Sequence, residues 1–123
     1  MKSESIIQMK SYNFSIRIVK LYQYLIKEHK EYTLAKQLIR CGTSIGANVE
    51  EASGGQSKRD FLSKLSIAYK EARETRYWLR ILKDTGYINN NMFVSLYNDC
   101  EELLKILSKI QKTIKINLEK SNL

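Results

Sequence analysis

"IRCGTSIGANVEEASGG", residues 39–55, places glycine, serine, threonine and asparagine in the middle of a stretch whose flanks are spaced like a helix. Gly42 and Gly46 each cost about 1 kcal/mol relative to alanine in a helix interior. Either the segment is not helical, or close packing offsets that cost. The apolar positions decide for a helix. Leu34, Leu38, Cys41, Gly42, Ile45, Val49 and Ala52 recur on one side at the helical period. Gly42 lies on or beside that stripe, with Gly46 and Ala47 around it, so a neighbouring helix is expected to approach closely there.

Three further periodic segments surround this one. The first places Tyr12, Ile16, Val19, Tyr22 or Gln23, and Ile26 at steps of three and four residues, which is helical rather than strand spacing. After the second segment, "GGQS" supplies a helix stop and Ser57 as the next N-cap, with Asp60 as a weak capping-box partner. The third segment repeats Phe61, Leu65, Ala68, Ala72, Leu79 and Leu82, interrupted by Thr75, and Gly86 stands where a left-handed terminating residue is wanted. "NNN" at 89–91 offers a cap to the last segment, whose stripe is Phe93, Leu96, Cys100, Leu103, Leu107, Ile110 and Ile114. Helices over about 4–29, 33–53, 58–85 and 90–121, joined by short connections, predict an all-α, antiparallel up-down four-helix bundle filling residues 1–123 as a single domain.

Composition agrees with that architecture. The chain has 123 residues, 43% hydrophobic and 28% charged, as in globular proteins, and it contains no proline to break long helices. No run approaches the roughly 20 apolar residues of a membrane span, and the N-terminus interleaves charge with apolar residues, unlike a signal peptide. The expected location is cytoplasmic, with no membrane partner. Cys41 and Cys100 have no CxxC spacing, and without an export signal they read as reduced, small apolar residues. His29, the single histidine, sits beside Glu28 and Lys30 at a polar helix end, a poor place for catalysis or metal binding.

Two polar patterns and one apolar flank remain outside the core. On the second helix Arg40, Ser44, Asn48 and Glu51 follow one another at steps of four, four and three. This seam is read as either a shielded, hydrogen-bonded contact or a solvated face. The chain carries 21 Lys and Arg against 13 Asp and Glu, a net charge of +8 that favours polyanionic partners. Arg73, Arg76, Arg80 and Lys83 form one line on the third helix, with Tyr69 and Tyr77 beside them. Arginine's planar fork suits phosphates and stacking, and it equally suits carboxylates of an adjacent subunit. Lys105, Lys109 and Lys112 make a second stripe on the fourth helix, continued by Lys115 and Lys120. A solvated face with an ordinary Glu101–Lys105 pair is the competing reading there. Ile67, Trp78 and Ile81 exceed what one core stripe needs. Trp78 reads as an interface anchor, or as packing beneath the first helix, with Glu71 and Glu74 near the same flank.

Catalytic patterns are absent: there is no HExxH, no glutamate-plus-ExxH set of a di-iron bundle and no phosphate loop, since "GTSIG" lacks the required lysine. No histidine is placed to activate Ser44. The expectation is no enzyme, no cofactor, no metal and no small-molecule substrate.

"RCGTSIGANVEEA" followed by "SKRDFLSKLSIAYKEARETRYWLRILKDTGYI" resembles the bacterial four-helix-bundle proteins first recognised as reading frames in intervening sequences of 23S ribosomal RNA genes. The shared pattern falls on Arg40, Ser44, Ile45, Asn48, Glu51, Ser57, Asp60, Phe61, Ile67, Ala68 and Glu74, within residues 32–88. The resemblance implies a homopentamer of bundles around an axis and no enzyme activity. It also implies kinship with the accessory variability protein of diversity-generating retroelements, a basic pentamer that binds nucleic acid and its reverse transcriptase. The expected function is therefore a basic homo-oligomer that binds RNA or DNA through phosphates. Its alternative is a scaffold that meets a reverse transcriptase or another acidic protein without nucleic acid.

Overall fold

The computed structural model describes residues 2–121, all of them in four helices and the turns between them. The helices are α1 (Lys2–His29), α2 (Thr33–Ser53), α3 (Lys58–Asp84) and α4 (Asn90–Ser121). Each packs on its chain neighbour, α4 closes against α1, and no close approach occurs across either diagonal. Short turns make neighbours antiparallel, so this is an up-down four-helix bundle.

Local chemistry sets the ends of the helices. The Lys30 backbone lies in the left-handed region at φ 51, and its amide donates to the Ile26 carbonyl at 3.0 Å, closing α1 with an αL-type cap. The Ser57 hydroxyl accepts from the Asp60 amide at 3.1 Å and starts α3. Gly86, at φ 83, follows the end of α3 in the conformation glycine adopts without strain. The Asn89 carboxamide oxygen accepts from the Met92 amide at 2.8 Å to begin α4.

The central stretch of α2 is helical throughout, and its glycines meet α1. A Cβ added to Gly42 would lie 2.7 Å from Ile18 Cγ2, and one added to Gly46 would lie 3.0 Å from Ser15 Oγ and 3.2 Å from the Ser11 carbonyl oxygen. Ser11 and Ser15 donate to carbonyls of their own helix, so they present little bulk to α2. Two small-residue surfaces therefore face each other, and the tight contact offsets the poor helix propensity. Ala47 takes no part in this contact and is exposed.

The core faces of α2, α3 and α4 follow the spacing read from the sequence, with Leu34, Phe61 and Phe93 partly buried at the rim. The α1 face differs. Ile7, Ser11, Phe14, Ile18, Leu21 and Leu25 point inward, whereas Tyr12, Ile16 and Val19 are exposed. α1 carries two apolar stripes of equal period, and the inward one is the stripe whose small and branched residues fit Gly42 and Gly46. Thr75 is fully buried without cost, because its hydroxyl donates to the Glu71 carbonyl at 2.8 Å.

Cys41 and Cys100 are free and buried. Loss of hydration pushes the Cys41 thiol up to about 11 and the Cys100 thiol up to about 12, from an ordinary 9.0. An unfolded chain releases these protons first. The stabilisation is therefore complete below pH 9 and is lost as pH climbs toward 11 and 12. Each thiol is expected to contribute about 1.4 kcal/mol of lost stability per pH unit in that window. Urea denaturation between pH 8 and 10 checks this: the wild type should lose stability more steeply than Cys41→Ala/Cys100→Ala, and equal slopes would refute the assignment.

Candidate nucleic-acid interface

The arginine line of α3 and the lysine stripe of α4 come from helices that pack side by side, and the fold joins them into one face. Two open hollows lie on it. One, of about 400 Å³, is lined by Tyr69, Lys70, Arg73, Glu74, Arg76, Tyr77 and Arg80. The other, of about 420 Å³, runs between the two helices and is lined by Tyr69, Arg76, Glu101, Leu104, Lys105, Ser108, Lys109 and Lys112. Tyr69 and Arg76 belong to both. Lys70 enters the first hollow although it stands outside the arginine line. Its place three residues before Arg73, one helical turn away, is the signal that marks it.

Electrostatics divide these cations by availability. Arg76 donates to Glu101 at 2.8 Å, and that hydrogen bond raises its already high pKa. Glu101 thus pairs across helices with Arg76 rather than with Lys105. Lys83 stacks over the Phe93 ring, 4.7 Å from its centroid. Arg73, Arg80, Lys105, Lys109 and Lys112 are exposed, and none of them appears in a salt bridge among the described residues. Tyr77 is exposed and meets Trp78 edge-on at 5.1 Å, so it offers a ring face beside free cations. Guanidinium and ammonium groups next to aromatic rings can bind phosphate oxygens and stack bases.

The α2 seam lies on another edge, the rim between α2 and α3. Arg40 bridges two carboxylates, Glu71 at 3.2 Å and Glu74, and Glu51 pairs with Lys64 at 3.2 Å. Between them the Ser44 hydroxyl donates to the Arg40 carbonyl at 2.6 Å, and the Asn48 amide donates to the Ser44 carbonyl at 2.8 Å. The Trp78 indole donates to Glu74 at 3.1 Å, so the tryptophan joins this rim half-buried. Glu74 also lines the first hollow and is the link between rim and basic face. Among the described residues, no group of three or more histidines, cysteines and carboxylates is placed to hold a metal ion, and no helix is long and apolar enough to cross a membrane.

The family described as 23S rRNA-intervening sequence protein matches residues 3–109. The crystal structure of a protein of unknown function from the S23 ribosomal protein family of Bacteroides thetaiotaomicron is similar, with 47% sequence identity and a TM-score of 0.88. The match covers 89% of this chain and 98% of that one. A search of curated proteins finds no match.

Proposed function

This chain belongs to the 23S rRNA-intervening sequence protein family, and from that footing we propose that it is a non-enzymatic, basic homo-oligomer that binds RNA or DNA through phosphates on the α3–α4 face. One observation carries the reading: cations from two helices, with tyrosines among them, meet at Tyr69 and Arg76 in a continuous strip. A solvated helix face mixes signs of charge. Here the two acids that line the hollows are each held by hydrogen-bonded partners, Glu101 by Arg76 and Glu74 by Arg40 and Trp78. Cations that meet phosphates and rings that stack on any base give binding that depends little on sequence. The subunits assemble in a ring, five-membered as the family resemblance implies.

Fluorescence anisotropy with labelled single-stranded RNA, single-stranded DNA and duplex DNA tests this over a salt series. Affinity should fall steeply with salt. The variant Arg73→Gln/Arg80→Gln, which removes the two arginines of the line that no carboxylate holds, should flatten the logarithmic slope by about 2, corresponding to two lost phosphate contacts. Absence of binding at low ionic strength, or an affinity indifferent to salt, overturns the proposal. Retention of a specific acidic protein after nuclease treatment would point to the scaffold role instead.

A further inference from the structure

Two apolar patches remain uncovered, and they lie on helices at opposite corners of the bundle. On α1, Met9, Tyr12, Ile16 and Val19 form an exposed stripe, with Tyr12 62% exposed. On α3, Ile67 is 40% exposed and shares its flank with the half-buried Trp78 and Ile81. Since α1 and α3 are diagonal, with no close backbone approach among the described residues, and both patches face away from the core, one patch cannot cover the other within a subunit. Isolated exposed apolar residues are ordinary on any protein, but a contiguous stripe several turns long is not.

Charge distinguishes the two patches. Beside the α3 patch, Glu71 and Glu74 share the single guanidinium of Arg40, and Glu71 keeps only 13% of its side chain exposed against 51% for Arg40. Two carboxylates on one cation leave a half-buried site one negative charge in excess, a costly arrangement until a further cation arrives. The α1 stripe is flanked by the exposed Lys20 and Lys27. Traced through α2, whose Gly42 meets Ile18 and whose Arg40 meets Glu71 and Glu74, Lys20 lies near the height of the acidic pair.

We propose that the α1 stripe of one copy docks on the α3 flank of the next, with Lys20 approaching the Glu71–Glu74 pair and Trp78 buried at the contact. The inference rests on the homo-oligomer reading and adds to it which surfaces meet. Unlike patches on opposite sides make the contact heterologous, so each copy uses one patch to each neighbour and the chain of contacts must close into a ring or run on as a fibre. The placement of the patches favours a ring over a fibre. Tyr12 and Val19 stand one turn beyond Gln8 and Ser15, which touch α2; Ile67 and Trp78 stand one turn from Glu71 and Glu74, which also touch it. Both patches therefore lean toward α2. Copies joined this way rotate about an axis on the α2 side, and the α4 lysines face outward.

Cysteine cross-linking tests the pairing, because the native thiols are buried. Tyr12→Cys/Ile67→Cys and Tyr12→Cys/Ile81→Cys, treated with a short bis-maleimide, are compared with each single variant, alongside light scattering of the untreated proteins. The expected result is a covalent ladder ending at the full subunit number from at least one double variant, and no ladder from any single variant. A dimer formed by Tyr12→Cys alone would show that α1 meets α1, overturning the pairing while leaving the oligomer intact. An oligomer by light scattering that yields no covalent product from either double variant overturns it as well. A monomer overturns both the pairing and the oligomer reading. Ile16→Asp provides a second arm: its circular dichroism should remain helical while its mass falls to that of one chain, and an unchanged mass counts against the α1 stripe.

Discussion

Gly42→Leu is expected to destabilise the bundle by about 3 kcal/mol or more, at the upper end of what overpacking costs. The Cβ alone would stand 2.7 and 2.8 Å from Ile18 Cγ2 and Cγ1. Those atoms are the first branch of a fully buried side chain, not the free end of a flexible one. Ile18 is confined at χ1 by its β-branch, so relief requires α1 and α2 to move apart, which opens the close contact that runs on to Gly46. Helix propensity works in the opposite direction. Leucine is better than glycine in an isolated helix by somewhat less than 1 kcal/mol, and a purely local account would predict stabilisation. The two accounts differ in sign, so urea denaturation at constant protein concentration separates them. Ile18→Ala in the Gly42→Leu background should recover part of the loss, although Ile18→Ala alone costs about 2–5 kcal/mol. A Gly42→Leu midpoint equal to or above the wild type would mean that α1 and α2 are not held at this distance.

That contact also explains how far the sequence could be read. For α2 the glycines and the apolar stripe coincide, and one helical face satisfies both. For α3 and α4 the core stripe stands opposite a charged face, α3 adding the Ile67, Trp78 and Ile81 flank to one side, and Ser57, Gly86 and Asn89 mark the ends of the helices. α1 offers no such exclusion. Its inner stripe includes Ser11, which looks polar in a linear reading, while its outer stripe, Tyr12, Ile16 and Val19, looks better suited to a core. Only the opposing surface of α2 discriminates, since a serine beside Gly46 permits a backbone approach that a tyrosine would block. The basic face was legible as two separate stripes, because each follows the period of its own helix. Their meeting at Tyr69 and Arg76 depends on the rotation of α3 against α4, and no periodicity within one helix records that. The Arg76–Glu101 pair was hidden for the same reason: local spacing offers Glu101 to Lys105, and tertiary packing gives it to arginine, whose longer fork reaches across the groove.

The two stripes of α1 lead to the second large effect. Phe14→Ala should cost about 3–5 kcal/mol, the range for deleting a buried aromatic side chain, since Phe14 is 2% exposed and lies within the central cluster. Ile16→Ala, two residues away, removes a side chain that already meets solvent, and it should cost less than about 1 kcal/mol in the isolated subunit. In the proposed assembly the contrast acquires a second dimension. The Phe14→Ala loss belongs to the fold of each chain and should not vary with protein concentration. Under the proposed pairing the Ile16→Ala loss belongs to a contact between chains, so it should grow as concentration rises and the wild type gains from association. Denaturation of wild type and both variants at two widely separated concentrations resolves the assignments. If Ile16→Ala proved the more damaging at low concentration, the inward face of α1 would be the one first suggested by its spacing, and the outward stripe would lose its place at the subunit contact.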